Sequence, residues 1–198
     1  SAFTSALVKA IYADMQKELS SSELANISYN IEKNNLCETV GIQDQIATSF
    51  GGFNSVQINK DGSYQISPIN LSTESLENFL QRLVLVYTGQ TRRATDIAES
   101  KVKNIVNKEK EYKAIQDMVS EAKNYLLKND IKNFGLLMND AWHIKRELSS
   151  CITNKEIDKL YNYGIENGAI GGKILGAGGG GFLLFVCKEG EKNNLEKK

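Results

Sequence analysis

A run of glycines between two short apolar segments limits the folds open to this chain more than any other part of its sequence. It reads "KILGAGGGGFLLFVC" over residues 173–187. Glycine is costly to hold in one conformation, but it permits positive φ angles and lets the backbone approach another group closely. The flanking stretches "AIGGKIL" and "GFLLFVC" predict two strands joined by a glycine loop. Spacing alone favours a turn packed against another backbone, with a phosphate- or sugar-contacting loop as the alternative.

The glycine loop does not match two common nucleotide-binding patterns. A Walker loop would continue with Gly-Lys-Ser/Thr, which is absent here. A dinucleotide-binding fingerprint would be followed by a helix, whereas "FLLFV" follows and has the character of a strand. A functional interpretation therefore needs a second motif.

The rest of the chain mixes helical and strand-like patterns. The opening segment "SAFTSALVKAIYADMQKEL" and the segment "SSELANISYNIEKNN" both have helical spacing, and a Ser among residues 20–22 caps the second. Alternation around Asp61-Gly62 predicts a β-hairpin, and "RLVLVYTG" predicts a buried strand. Further helices are predicted at 92–106, 109–128, 131–148 and 155–167, before a frayed tail at 188–198. This order indicates an α+β fold with an antiparallel or mixed sheet.

Composition excludes several classes of partner. The chain has 198 residues, 41% of them hydrophobic, with 24 basic and 24 acidic residues and a formal net charge of zero. Such a chain can bury a core in one or two domains, and it has no overall field to attract nucleic acid or an anionic membrane. Its three cysteines are too widely spaced to indicate a metal clamp or a disulfide framework, so we expect a cytoplasmic protein.

Two carboxylates are candidates for chemistry. Asp44 follows Gly41 in "GIQDQIATSFGG" and precedes a short apolar stretch, so the first turn of a short helix could direct it into a cleft. Glu32 lies earlier, in the last turns of the preceding helix. A helix–loop–helix could bring the two together, one for a metal and one for a proton. The alternative for Asp44 is a simple helix cap.

Two of these motifs, in this order, resemble those of a known family. "KILGAGGGG" resembles the third motif of the GHMP kinases, and "GIQDQ" resembles the segment that carries the catalytic aspartate in the galactokinase branch. The segments "VYTGQTRRATDIA" and "WHIKRELSSCITN" extend the resemblance over essentially the whole chain. It implies a fragment of the GHMP kinase fold. Residues 1–80 would be the remaining part of the N-terminal domain, and residues 81–198 a ferredoxin-like C-terminal domain of sheet packed by helices.

The resemblance also implies an activity and its residues. The reaction would be ATP-dependent phosphorylation of the anomeric hydroxyl of a sugar phosphate, with Mg²⁺. Asp44 would take or position the hydroxyl proton, Glu32 would bind the Mg²⁺, and Gly41 would lie against the sugar. The glycines that would close on the phosphate-binding loop of the family and on the substrate are Gly176, Gly178, Gly179 and Gly180.

The opening "SAFTSALVKA" matches only the end of the family's second motif, the loop that wraps the ATP phosphates. The resemblance thus implies that the chain is a fragment and that it is inactive alone, because it lacks that loop.

A sugar phosphate carries an anionic group far from the reacting hydroxyl. The binding pocket should therefore hold a cationic side chain for that group. Arg92 is the first candidate, since a guanidinium binds phosphate bidentately and Arg92 follows a Thr-Gly turn at a strand end. For other conspicuous side chains, a packed or solvated role is favoured over ligand binding. These are Arg93, Trp142, His143, Lys145, Arg146, Tyr161 and Tyr163.

Two alternatives remain open. One is a different anomeric sugar kinase, fucokinase- or galactokinase-like, which needs no distal cation. The other is a non-catalytic α+β interaction module whose glycine tract contacts a partner chain. The pair Glu32 and Asp44 favours the kinase, because a binding module has no need of both carboxylates. A homo-oligomer is also left open.

Overall fold

The protein divides into two compact units, Ser1–Pro68 and Ile69–Lys198. A computed structural model describes residues 1–90 and 105–196. The predicted domain boundary at residues 80 and 81 lies inside the second unit. The reason is a helix over Thr73–Gln81 whose Phe79 is buried in a cluster with Leu126 and Ile131, so this helix packs with the C-terminal residues.

The first unit is helical with one β-hairpin. Its elements are α1 (Ala2–Asp14), α2 (Ser21–Asn30), a π-helical turn (Ile31–Asn35), α3 (Gln43–Phe50), β1 (Asn54–Ile58) and β2 (Tyr64–Pro68). The predicted cap is confirmed: the Ser20 hydroxyl accepts the Glu23 N–H while the Glu23 carboxylate accepts the Ser20 N–H.

Both apolar and polar contacts join the three helices of the first unit. α2 packs against α1 and α3, with Val8, Leu24 and Ile46 buried. The buried Ser5 hydroxyl donates to the Ser28 hydroxyl at 3.2 Å and lies 3.0 Å from the Thr48 hydroxyl. These contacts fix the spacing of α2 and α3, from which the candidate carboxylates project.

The predicted hairpin is confirmed. β1 pairs antiparallel with β2, and Val56 stands opposite Ile66. The turn is held by Asp61, whose side chain accepts the Ser63 N–H at 2.9 Å.

The second unit combines helices with an antiparallel sheet. Its elements are α4 (Thr73–Gln81), β3 (Leu83–Tyr87), a 3₁₀ turn (Ile105–Lys108), α5 (Glu109–Leu127), α6 (Ile131–Glu147), α7 (Lys155–Glu166), β4 (Ala169–Ile174), β5 (Phe182–Cys187) and α8 (Lys192–Glu196). The strand order is β3-β5-β4. The predicted helix over 92–106 falls mostly outside the described residues. The prediction of a frayed tail over 188–198 was wrong for residues 192–196. They form α8, whose Leu195 is buried.

The core of the second unit lies between the sheet and its helices. Trp142 is fully buried, as predicted, and the buried Tyr161 donates its hydroxyl to the Asn139 side chain at 2.7 Å. Burial raises the pKa of Tyr161 to about 12, against a smaller lowering effect of the Gly172 backbone. The prediction that Tyr163 packs in the core was wrong, because its side chain is 42% exposed. Two residues after Tyr161 on a helix, it faces away from the core.

Within residues 1–90 and 105–196, every helix is too short or too polar to cross a membrane.

Candidate active site

Glu32 is a buried carboxylate held by several donors. It lies in the π-helical turn that continues α2 and is 3% exposed. Its Oε2 accepts the Gln45 amide at 2.6 Å and the Ser1 hydroxyl at 3.0 Å. Its Oε1 lies 3.1 Å from the Ser1 nitrogen. The sequence predicted a carboxylate at this point but gave no indication of these partners.

The surroundings of Glu32 favour its ionised form. Burial would raise the pKa of Glu32, but polar contacts from Thr4, from the amino group and hydroxyl of Ser1, and from Gln45 together lower it below its usual value. The carboxylate is therefore charged at neutral pH and can accept hydrogen bonds or bind a cation.

Gln45 is a residue that the sequence interpretation missed. It lies in the first turn of α3, is fully buried, and donates to Glu32 and to the Ser1 hydroxyl. A buried glutamine directly after the candidate Asp44 could have been suspected from "GIQDQIATSF", where Gln45 comes just before the buried Ile46. The partner of its amide could only come from the structure.

Asp44 is exposed on the first turn of α3. The N-cap position of α3 belongs to Ile42, and no side chain caps this helix. Asp44 is thus not the N-cap residue that the alternative interpretation supposed. Gly41, before α3, is also exposed, and a Cβ built there would meet nothing within 4 Å.

The oxygen atoms around Glu32 suit a hard divalent cation. Among the described residues, Gln45 Oε1 is buried without a hydrogen-bond partner, and Glu32 Oε1 beside it is met by the Ser1 nitrogen at 3.1 Å. Carboxylate and amide oxygens are the ligands that Mg²⁺ takes in proteins. The described part of the chain has no group of three or more His, Cys, Asp or Glu that could hold a metal by itself. A cation at Glu32 would thus need ligands such as water or phosphate oxygens as well.

In the second unit, the glycine loop between β4 and β5 is anchored to its surroundings. Gly179 N–H donates to Ile152 C=O at 2.7 Å, and Gly181 N–H donates to Gln90 C=O at 2.9 Å. Gly181 C=O accepts both the N–H and the hydroxyl of Thr88, at 2.8 and 2.9 Å. The loop is therefore shaped by its own unit, in agreement with the packed turn that spacing favoured.

These anchors leave other amides of the loop free. Within the described part of the chain, the N–H groups of Gly176, Gly178 and Gly180 have no hydrogen-bond acceptor, whereas that of Gly179 is already used. Free N–H groups on a glycine-rich loop form a ready site for phosphate oxygens. Gly179 would then act through the loop's shape and not through its amide.

Two loop glycines are required by close backbone approach. A Cβ at Gly180 would lie 2.7 Å from the Gln90 carbonyl oxygen, and one at Gly178 would lie 2.9 Å from the Ile152 carbonyl oxygen. Neither neighbour is a flexible side chain that could move aside. At these two positions glycine is needed because a side chain would collide with backbone of the second unit.

Comparison with known proteins identifies the family of the C-terminal part of the chain. Residues 109–198 match the family model "GHMP kinases C terminal". Residues 109–198 are a GHMP kinase C-terminal domain. The family resemblance and the α+β fold expected from the sequence are thereby confirmed.

Individual relatives extend this similarity beyond the GHMP kinase C-terminal domain. The chain is 32% identical to the D-glycero-alpha-D-manno-heptose 7-phosphate kinase of Campylobacter jejuni, over 96% of this chain and 57% of that protein. It is 29% identical to the bifunctional fucokinase/GDP-fucose pyrophosphorylase of Arabidopsis thaliana, over 77% of this chain and 15% of that protein. Phosphomevalonate kinase of Streptococcus pneumoniae shares the fold, with a TM-score of 0.80 at 12% identity over 98% of this chain and 62% of that chain. The chain thus spans little more than half of the heptose kinase.

Two basic side chains of the GHMP kinase C-terminal domain, Lys145 and Arg146, have structural partners. Lys145 donates to the carbonyl oxygens of Ile174 and Gly176, at 3.0 and 2.8 Å. Arg146 pairs with Asp158 at 3.0 Å and lies over the Trp142 ring. The expectation that both are merely solvated was wrong, because α6 directs them at the loop and at α7.

Three other side chains considered in the sequence analysis have different outcomes. His143 is exposed, as expected. Arg92 and Arg93 lie outside the described residues.

Replacing Lys145 should destabilise the GHMP kinase C-terminal domain. In Lys145→Met the aliphatic stem stays, but two charge-assisted bonds to the glycine loop are lost, at a cost of about 2 kcal/mol in the free energy of unfolding. Lys132→Met, on the exposed face of the same helix, is the matched control and should change stability little. Urea unfolding of both variants would measure the difference. Equal stabilities would mean that Lys145 does not hold the loop.

Proposed function

We propose that this chain is part of an ATP-dependent kinase that phosphorylates the anomeric hydroxyl of D-glycero-D-manno-heptose 7-phosphate, giving the 1,7-bisphosphate. The single observation that carries the proposal is the pair of carboxylates on packed elements of the first unit. Glu32 is buried and ionised, and it accepts a hydrogen bond from Gln45. Asp44, which precedes Gln45 in sequence, is exposed and is not the N-cap of α3. Similarity to the Campylobacter heptose kinase supports the choice of substrate.

Asp44 is the proposed acceptor of the hydroxyl proton. As the anomeric oxygen forms its bond to the γ-phosphorus, the bond from that phosphorus to the bridging oxygen breaks and ADP leaves. The hydroxyl proton passes to the Asp44 carboxylate. An exposed carboxylate can reach a substrate, and phosphoryl transfer requires alignment and charge neutralisation more than covalent chemistry by the protein.

Glu32 is the proposed ligand of Mg²⁺. When bound, the cation would neutralise charge on the ATP phosphates during transfer. Glu32 can serve because its carboxylate is ionised, and because Gln45 Oε1 nearby is a hard oxygen with no partner among the described residues. The Gln45 amide holds the carboxylate from the other side.

The glycine loop is the proposed backbone site for phosphate oxygens. The amides of Gly176, Gly178 and Gly180, which have no acceptor among the described residues, would supply donors without side chains that obstruct close approach. Gly41, where a Cβ would meet nothing, leaves room for the sugar.

Turnover of a sugar panel by the full-length protein tests the proposal. We expect ATP-dependent phosphorylation of the heptose 7-phosphate, with much lower kcat/KM for galactose, fucose and unphosphorylated heptose. Preference for an unphosphorylated sugar would favour a fucokinase-like enzyme, which the similarity to the Arabidopsis fucokinase keeps as the second candidate. Absence of any kinase activity would favour the interaction module.

Arg92 is the proposed partner of the distal phosphate. In the full-length protein, Arg92→Ala should raise KM for the heptose 7-phosphate about 30-fold, since a lost charge-assisted contact costs about 2 kcal/mol. KM for ATP should stay nearly constant. Steady-state kinetics with both substrates would measure this, and the same loss with an unphosphorylated sugar would refute the assignment.

A further inference from the structure

The contact between Gln45 and Glu32 has a defined direction. The two atoms that lie 2.6 Å apart are Gln45 Nε2 and Glu32 Oε2. The amide nitrogen is the only donor of the glutamine side chain, and the carboxylate oxygen accepts its hydrogen bond. This contact fixes the amide orientation and turns Gln45 Oε1 to the other side.

The other end of Gln45 has an unmet requirement. Gln45 has no exposed surface, and its Oε1 accepts no hydrogen bond from any described residue. A buried acceptor without a donor costs free energy. It indicates that a donor or a cation occupies this position in the working protein.

We infer that Gln45 is a positioning residue that fixes the Glu32 carboxylate for a divalent cation. This inference rests on the proposed function, in which Glu32 binds Mg²⁺. The Gln45 amide and the Ser1 hydroxyl hold Oε2. The oxygen assigned to the cation is therefore Oε1, whose neighbour in this structure is the positively charged Ser1 nitrogen at 3.1 Å. Gln45 Oε1 accepts a hydrogen bond from a water on that cation. Because α3 carries both Gln45 and Asp44, the same helix sets the metal ligand and the proton acceptor.

The test measures Mn²⁺ binding to the full-length protein by water-proton relaxation, with a non-hydrolysable ATP analogue present. Gln45→Met keeps the length and removes the amide. We expect its Kd for Mn²⁺ to rise about 10-fold to 100-fold, the usual effect of removing a group that orients a metal ligand. The matched control is Gln43→Met, the same substitution at an exposed position of the same helix, which should bind Mn²⁺ normally.

Thermal unfolding separates positioning from a merely structural role. If Gln45→Met lowers Tm in metal-free buffer while its Kd for Mn²⁺ stays normal, the inference is overturned. If Gln45→Met does not fold, Gln45→Asn replaces it, because its shorter amide cannot reach Glu32 at 2.6 Å. A normal Kd for Mn²⁺ in Gln45→Asn would overturn the inference as well.

A third variant separates this inference from the proposed function. Glu32→Gln removes the charge of the metal ligand and should weaken Mn²⁺ at least as much as Gln45→Met does. If Glu32→Gln binds Mn²⁺ normally, the metal role of Glu32 fails, and the role of Gln45 fails with it. If only Gln45→Met binds normally, the positioning role alone is wrong and the proposed function stands.

Discussion

Asp44→Asn in the full-length kinase should lower kcat about 100-fold to 10,000-fold, the usual contribution of a positioned proton acceptor. The substitution keeps the shape of the side chain but removes the charge that, in the proposed function, orients and deprotonates the anomeric hydroxyl. The KM for ATP should change little, because the proposed metal ligand is Glu32. Single-turnover measurements would separate the chemical step from product release.

The exposed position of Asp44 makes this result interpretable. Asp44 makes no capping bond, and the N-cap of α3 is Ile42. Loss of its charge from the first helical turn should therefore cost only about 0.3–1 kcal/mol in stability. A variant with an unchanged Tm and a near-normal kcat would mean that the proton goes elsewhere and that Asp44 is only a favourable charge on a helix.

If the glycine loop binds phosphate as we propose, Gly180→Ala should reduce kcat about 100-fold in the full-length protein, the effect expected when a loop that positions substrate shifts by about 1 Å. The added Cβ would lie 2.7 Å from the Gln90 carbonyl oxygen, so the loop or the end of β3 has to move. The overpacking should also cost about 1–3 kcal/mol in unfolding free energy. Thermal unfolding and steady-state kinetics measure the two effects.

Gly176→Ala is the comparison in the same loop. A Cβ at Gly176 would meet nothing within 4 Å, although the residue has a φ of 60°. Its cost should be only the left-handed conformation itself, about 1–2 kcal/mol. If Gly180→Ala is no worse than Gly176→Ala in both measurements, contact with Gln90 does not determine the shape of the loop.

Patterns of local sequence predicted most of the elements because local residues determine them. The cap at Ser20 and the turn at Asp61 each act through neighbours in sequence, and both appear as predicted. α4 was missed although Ser72 caps it and its spacing is amphipathic. The segment is short and lies between two stronger strand patterns, the hairpin and β3.

The parts that could not be predicted depend on contacts between distant residues. Gln45 and Glu32 are 13 positions apart, and Lys145 lies 31 positions from Gly176, which it contacts. No periodicity reveals such pairs. The same holds for Gly180, whose need for glycine comes from Gln90 in the segment that follows β3.

The anchoring of the glycine loop has an entropic consequence. Gln90, Thr88 and Ile152 hold its backbone before any ligand arrives, so its conformational freedom is lost when the second unit folds. A phosphate that binds there need not order the loop, and its affinity is not reduced by that cost. Substitutions that loosen these anchors would therefore weaken ligand binding even when every direct contact to the ligand is preserved.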